Sequence, residues 1–227
     1  MIRVTENLSS IRDLLAKAAH EANRDPASIE LLAVSKTHPL DSILEAAAAG
    51  QRDFGENYVQ DGLEKIAACP RDDLVWHFIG HLQSNKTRMT AEHYDWVHTV
   101  DKLKIARRLS EQRPDELGEL NVCLQVNIDN EPGKSGAKAD EIPDLAAAVA
   151  ELPGLRLRGL MCLPAIRPDF DAQREPFARL RELAQSVSES GIDLDTLSMG
   201  MTDDYRAAIF EGATIVRIGT AIFGPRV

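Results

Sequence analysis

One lysine at the end of an apolar run is the residue of this sequence whose chemistry is easiest to infer. Residues 29–35 are mostly apolar and are followed by Lys36 and then Pro39, which predicts a buried strand ending near the lysine. Strand side chains alternate between faces, so Leu32, Val34 and Lys36 share one. If that face is interior, burial lowers the pKa of the amine and suits it to Schiff-base formation. The simpler interpretation is that Lys36 only marks where a strand meets water, since lysines are almost never fully buried.

Two segments near the other end of the sequence have the composition of an anion site. Residues 198–202 begin with Ser198 and contain a glycine before a predicted helix, and Gly219 is followed directly by Thr220. Hydroxyls, glycine backbone and helix starts suit a phosphate group. Ordinary turns with helix caps use the same residues. Two such segments in consecutive strand–helix units favour phosphate binding.

An arginine lies between these segments and is predicted to point inward. Arg217 shares a strand face with Ile215 and Gly219. A buried arginine needs a partner. The partner is either a carboxylate, with Glu56 as the candidate, or a bound ligand, and the sequence leaves both open.

Eight predicted strands, each followed by a helical pattern or the end of the sequence, must position these residues. An amphipathic helix from Thr5 to Asn23 precedes them, and the strands are predicted at 29–36, 53–57, 74–80, 95–100, 121–128, 155–163, 196–200 and 214–220. This alternation predicts an α/β fold, a single (β/α)8 TIM-type barrel of one domain over 1–227 with an extra N-terminal helix. The active face of such a barrel lies at the carboxyl ends of the strands. An open doubly wound sheet is the alternative, but no Gly-x-Gly-x-x-Gly follows the first strand.

The composition excludes several classes of function. The chain has 227 residues and a formal net charge of −10, which disfavours nucleic acid or an anionic membrane as the main partner. Three cysteines without paired spacing argue against a disulfide framework or a thiolate zinc site. No metal site is predicted. The sequence shows no signal-peptide pattern and no apolar run of membrane length, so a cytoplasmic protein is expected.

A lysine, a phosphate site and an arginine on one face match a ligand that joins an aldehyde to a phosphate, and pyridoxal 5′-phosphate (PLP) is such a ligand. The chain also resembles the pyridoxal phosphate homeostasis protein family, which is similar to the barrel domain of alanine racemase and the other fold-type III PLP proteins. The similarity extends from end to end, and the stretch 77–86 is highly specific. The matching segments are 32–37, 54–60, 76–86, 197–201 and 216–224.

The resemblance implies a set of cofactor-binding residues. In that set Lys36 forms a covalent aldimine with PLP, and Arg217 faces the ring nitrogen, which keeps that nitrogen unprotonated and the ring a weak electron sink. The phosphate is held by Ser198 and by the backbone of Gly219 and Thr220. Three more residues are expected near the ring: Asn57, His77 and Met161.

The resemblance implies a carrier rather than an enzyme. The expected function is reversible binding of PLP for intracellular homeostasis, with PLP-dependent apoenzymes as recipients, an indirect effect on amino-acid and keto-acid pools, and a monomeric state. No catalytic residue is predicted. The alternative is a fold-type III amino-acid racemase, which needs a second base on the opposite ring face, and none of the tyrosines (Tyr58, Tyr94 and Tyr205) is obviously placed to supply it. A class I aldolase barrel is a third possibility, but its lysine usually belongs to a later strand.

Overall fold

Eight parallel strands form a closed barrel in the computed structural model, which describes residues 3–225. Neighbouring strands follow the sequence order, and the last pairs with the first. The strands are β1 Glu30–Val34, β2 Asp53–Glu56, β3 Val75–Phe78, β4 Trp96–Val100, β5 Leu120–Val126, β6 Leu155–Cys162, β7 Thr196–Ser198 and β8 Ile215–Ile218. The (β/α)8 prediction is therefore confirmed, and the open doubly wound sheet is wrong.

The helices lie outside the barrel and connect its strands. They are α1 Val4–Glu21, α2 Leu40–Ala48, α3 Val59–Ala68, α4 Thr87–His93, α5 Leu103–Gln112, α6 Ile142–Ala150, α7 Phe170–Glu189, α8 Tyr205–Phe210 and α9 Thr220–Phe223. The helix after β3 begins only at Thr87, and turns occupy residues 84–86 before it. No helix in residues 3–225 is long and apolar enough to span a membrane.

The extra N-terminal helix packs over the seam where the barrel closes. Its apolar positions recur every three or four residues, so Leu8, Ile11 and Leu15 form one buried stripe. Helix α1 contacts α2, α8 and α9. Asn7 also donates a hydrogen bond from Nδ2 to the carbonyl oxygen of Ile222, at 2.9 Å. This contact ties α1 to the short helix α9.

Strand alternation separates two apolar layers. Outward residues such as Phe54 and Val216 pack under the helices and are fully buried, which contributes about 1.5–3 kcal/mol per side chain. Inward residues such as Leu32, Val34 and Met161 fill the barrel interior. The prediction that Leu32 and Val34 share the inner face is therefore confirmed. Lys36 follows them at the same two-residue spacing.

The register of β1 and β8 explains how residues from opposite ends of the sequence meet. Leu32 is paired with Arg217, and Ala33 with Ile218. The carboxyl ends of both strands therefore reach the same mouth of the barrel side by side. Any group held by Lys36 lies next to whatever follows β8.

Candidate functional site

A cavity of about 520 Å³ opens at the carboxyl ends of the strands. Six of the eight residues predicted to bind a cofactor line it: Lys36, Asn57, Met161, Arg217, Gly219 and Thr220. They come from β1, β2, β6 and β8 and from the segments that follow those strands. The barrel closure thus brings together residues that the sequence placed far apart.

Lys36 lies in a tight turn directly after β1. The amide of His38 donates to the carbonyl oxygen of Ser35 at 3.1 Å, which closes the turn. The third residue of this turn, Thr37, has a φ of 64°, a backbone conformation that β-branched residues rarely adopt. Such strain persists where surrounding contacts hold the backbone, and it is common beside functional groups. Lys36 itself is half-buried and lines the cavity, so it is neither a core residue nor a fully solvated strand end.

A buried ion pair behind the barrel wall holds this turn. Glu56 Oε1 accepts hydrogen bonds from Ser35 Oγ and from Lys65 Nζ, both at 2.6 Å, and Lys65 also donates to the carbonyl oxygen of Ser35 at 2.9 Å. Glu56 is completely buried. Burial raises the pKa of Glu56, whereas the hydrogen bonds and charge of Lys65 act to lower it. The residue before Lys36 is thus fixed by both its side chain and its backbone.

Arg217 is buried in the barrel interior at the floor of the cavity, 4% exposed. Its guanidinium donates to Ser198 Oγ at 2.7 Å and to the carbonyl oxygen of Cys162 at 2.8 Å. The suggestion that Glu56 pairs with Arg217 is wrong, because Glu56 points outward from β2 to Lys65. Burial lowers the pKa of Arg217, yet an arginine stays charged in proteins. Its hydrogen-bond partners are neutral oxygens, so its charge is available to an anion.

The charge of the cavity differs from that of the whole chain. The protein has a net charge of −10, but the lining includes Lys36, Lys134 and Arg217 and a single acid, Asp203. A concave site with several positive groups concentrates field lines on an anionic ligand. The cavity therefore favours an anion such as a phosphate ester.

Gly219 and Thr220 form the predicted anion segment after β8. Gly219 precedes α9, and a Cβ atom added to it would lie 3.1 Å from the Val34 carbonyl oxygen and 3.3 Å from Val34 Cβ. On the neighbouring side, Gly200 has a φ of 93°, and an added Cβ would lie 2.6 Å from Ala208 Cβ. Both glycines are needed for close packing. They shape the two loops that border the cavity.

Asn57 carries an unsatisfied polar atom beside the cavity. Its Oδ1 is buried and has no hydrogen-bond partner within residues 3–225. Gly80 brings the segment after β3 close to it, because an added Cβ would lie 1.9 Å from the Asn57 carbonyl oxygen. A buried acceptor without a donor costs free energy. This oxygen is therefore available as an acceptor for a bound group.

Two predicted residues are not brought to the cavity wall. Ser198 is fully buried, and its hydroxyl is bonded to Arg217 and, at 2.8 Å, to His98 Nδ1. His77 lies deeper in the barrel, towards the amino-terminal ends of the strands, where its Nε2 is 3.2 Å from Asp53 Oδ1. Strand alternation directs both side chains inward, but it does not give their level along the barrel axis. Ser198 reaches the site through Arg217, and His77 does not border the cavity.

The cavity also includes residues that the sequence reasoning did not select as ligands. Lys134 comes from the loop after β5, and Asp203 from the loop after β7. His38 lines the wall near Lys36 and stacks on Phe223 with ring centroids 5.2 Å apart, and burial lowers its pKa. The rule that barrel loops after the strands carry the site could have selected Lys134. Nothing in its sequence context distinguishes it from other loop lysines.

The donor set of this cavity fits PLP. It combines an amine for the aldehyde, cations and a glycine-lined segment for the phosphate, a buried arginine, and an unpartnered amide oxygen. When bound, PLP supplies a reactive aldehyde and an aromatic ring that withdraws electrons. This fit rests on the residues themselves.

Comparisons with known proteins agree with that geometry. The family described as "Alanine racemase, N-terminal domain" matches residues 7–227. The chain is 57% identical to the pyridoxal phosphate homeostasis protein of Pseudomonas aeruginosa over 226 residues, covering 100% of this chain and 97% of that one. It is 52% identical to the Escherichia coli protein of the same name, covering 98% and 97%.

Solved structures show the same similarity. The structure titled PipY of Synechococcus elongatus with PLP bound has a TM-score of 0.85 and 37% identity, covering 97% of this chain and 100% of that one. An alanine racemase of Clostridium difficile has a TM-score of 0.77 at 13% identity, covering 97% of this chain and 57% of that one, and shows a shared fold alone.

Proposed function

The chain belongs to the pyridoxal phosphate homeostasis protein family, and on that premise we propose that it carries PLP as a Schiff base on Lys36 and contributes to intracellular PLP homeostasis. The observation that carries the proposal is the cavity itself, where Lys36 and Arg217 share a wall with the loop of Gly219 and Thr220. Condensation of the amine with the aldehyde releases one water molecule. The phosphate then needs cationic and backbone donors, which this end of the barrel supplies.

Each residue of the proposed site has a distinct task. Gly219 and Thr220 hold the phosphate through their backbone. Arg217 faces the ring nitrogen, and because a guanidinium only donates hydrogen bonds, it favours an unprotonated nitrogen. Asn57 supplies an acceptor at the edge of the ring, and Met161 packs beneath it. Ser198, proposed from the sequence as a phosphate ligand, acts here by holding Arg217.

The carrier role is preferred over racemisation for two reasons. An unprotonated ring nitrogen withdraws electrons weakly, so carbanion chemistry at the cofactor is slow. A two-base racemase also needs a second proton-transfer group, and none of Tyr58, Tyr94 and Tyr205 is among the lining residues of the described cavity. Tyr94 is buried beneath α3 instead, where a Cβ on Gly62 would lie 1.8 Å from its hydroxyl. Recipient apoenzymes, a cytoplasmic location, a monomer and a single domain over 1–227 remain part of the proposal.

Covalent labelling tests the proposed attachment. The purified protein mixed with PLP should show a visible absorbance band, and borohydride should fix one pyridoxyl group on the peptide that contains Lys36. Lys36→Ala should lose the label, whereas Lys104→Ala, at an exposed position on α5, should keep it. A wild-type protein that stays colourless, or a label that survives in Lys36→Ala at full yield, would overturn the proposal.

A turnover assay separates the carrier from the racemase. The PLP-loaded protein is incubated with L-alanine, and D-alanine is measured against an authentic racemase. The carrier role predicts that D-alanine does not accumulate beyond the amount of protein present. Many turnovers at a rate comparable with the control enzyme would establish the racemase instead.

A further inference from the structure

A continuous chain of side-chain hydrogen bonds runs through the barrel interior. Asp53 Oδ1 lies 3.2 Å from His77 Nε2, and His77 Nδ1 lies 2.9 Å from His98 Nε2. His98 Nδ1 lies 2.8 Å from Ser198 Oγ, which accepts a hydrogen bond from Arg217 at 2.7 Å. The chain begins at the amino-terminal ends of β1 and β2 and ends at the floor of the cavity. It links residues from β2, β3, β4, β7 and β8.

The acidic end of the chain behaves as a hydrogen-bond acceptor. Glu30 lies beside Asp53, and burial together with Asp53 raises the pKa of Glu30 to about 8. A side-chain hydrogen bond joins Glu30 to Asp53. Asp53 can then accept from His77 Nε2. One polar side-chain atom each of Glu30, Asp53 and His77 lies within 4.8 Å of the other two. The hydrogen bonds of Asp53 to Glu30 and to His77 account for these short distances.

Once Asp53 accepts from His77, the donor and the acceptor of every other hydrogen bond in the series follow. If His77 Nε2 carries the hydrogen, the Nδ1 of a neutral His77 is an acceptor, so His98 Nε2 must donate to it. Nδ1 of a neutral His98 then accepts the hydroxyl hydrogen of Ser198. The remaining lone pairs of Ser198 Oγ face Arg217 and accept from its guanidinium. In this arrangement each bond of the chain has one donor and one acceptor.

The surroundings of His98 favour a neutral ring, and those of His77 fix its orientation. His98 is fully buried, and its pKa is lowered mainly by burial and also by its neighbours His77 and Arg217. His77 stacks on Trp96 with centroids 5.3 Å apart and planes 7° from parallel, and Arg158 covers Trp96 at 4.7 Å. These contacts from β4 and β6 fix the ring of His77. The two imidazoles therefore keep their ring nitrogens at fixed hydrogen-bond distances.

We propose that His98 and His77 are positioning residues that fix the Ser198 hydroxyl as an acceptor for Arg217 and so hold the guanidinium towards the cavity. Without this chain the hydroxyl could rotate and point its hydrogen at Arg217, which would repel the guanidinium. The role of Arg217 at the cofactor ring rests on the proposed function. The hydrogen-bond direction within the chain does not.

Nuclear magnetic resonance of the protein without added PLP tests the direction. The sample carries ¹⁵N-labelled histidine, and the two ring nitrogens are distinguished by their couplings to the ring protons. We expect His98 to be neutral at neutral pH, with its hydrogen on Nε2. A hydrogen on Nδ1 of His98, or a protonated His98, would overturn the proposal whether or not the protein binds PLP.

Two substitutions with a matched control test the effect on the site. His98→Leu removes both links, whereas the amide oxygen of His98→Asn can replace Nδ1 as the acceptor for Ser198. We expect His98→Leu to weaken PLP binding about 10-fold and shift the absorbance maximum of bound PLP, and His98→Asn to restore most of both. The exposed His93→Asn should match the wild type. Equal spectra and affinities in all four proteins would refute the positioning role, while failure of wild-type labelling would refute only the proposed function.

Discussion

Lys65 is the residue whose removal should have the clearest measurable consequence. Its Nζ is 2.6 Å from Glu56 Oε1, and the Lys65 and Glu56 side chains are 12% and 0% exposed. Glu56 Oε2 has no hydrogen-bond partner among the described residues. In Lys65→Met, Glu56 keeps only the hydroxyl of Ser35 as a partner. Removing one member of a buried ion pair typically costs about 3–5 kcal/mol, because the remaining charge is buried without compensation.

The loss should depend on pH in a defined direction. The pKa of Glu56 is already raised from 4.5 by burial, and Lys65 opposes that rise, so the substitution raises it further. A carboxyl whose pKa is higher in the folded than in the unfolded state favours folding below the unfolded value. That contribution is lost as the pH rises through the folded pKa. Lys65→Met should therefore be most destabilised at neutral and alkaline pH and recover towards pH 4.5.

Urea unfolding of the protein without PLP at pH 5 and pH 8 measures this difference. We expect a loss of about 3–5 kcal/mol at pH 8, which lowers the melting temperature by about 6–20 °C for a chain of this size, and a smaller loss at pH 5. Adding Glu56→Gln to Lys65→Met should restore part of the stability, since no buried charge remains. The exposed Lys104→Met is the control. An equal loss at both pH values, or no recovery in the double variant, would refute the reasoning.

Two further predictions concern residues that line the site, and a third concerns an ion pair between the loops after β5 and β6. Gly219→Ala brings a Cβ against the Val34 carbonyl, so inorganic phosphate should compete with PLP about tenfold less effectively than in the wild type; an unchanged inhibition constant would contradict the anion role. Asn57→Ala removes a buried, unsatisfied oxygen, so the protein without PLP should gain about 1 kcal/mol while PLP binds more weakly; a loss of stability without PLP would count against it. Arg167 lowers the pKa of Asp129. The ion pair therefore stabilises the fold above the unfolded pKa of 3.8, and this stabilisation is lost as the pH falls further. Asp129→Asn should lower the free energy of unfolding by about 1–3 kcal/mol at pH 7 and by less at pH 3, as measured by thermal unfolding.

The barrel could be predicted because its strands and helices leave strong periodic signals. Residues 121–128 form a near-continuous apolar run, as expected for a strand covered on both faces, and β5 occupies most of it. Alternation also predicted that Leu32, Val34 and Arg217 face inward. The same rule contained the information that Glu56 points outward, since Gly55 precedes it on the inner face, so the suggested pair with Arg217 could have been excluded from the sequence.

Other features depend on quantities that a linear sequence does not contain. His98 and Ser198 lie on β4 and β7, which are not neighbours in the barrel. Their contact depends on the stagger of the strands around the axis, which sets the height of each inward residue. Lys134 is in a loop without periodicity, so its approach to the cavity comes from the loop path. The ion pair of Lys65 and Glu56 requires the packing of α3 on β2.

The pairing of β1 with β8 has a consequence for biosynthesis. Lys36 leaves the ribosome well before Arg217, Gly219 and Thr220, which belong to β8 and the helix after it. Until β8 has been synthesised, a nascent chain carries the amine of Lys36 without the groups that would retain a phosphate. The site is complete only when β8 has paired with β1. A chain that terminates before β8 should not retain PLP, so the retention of PLP reports translation through β8.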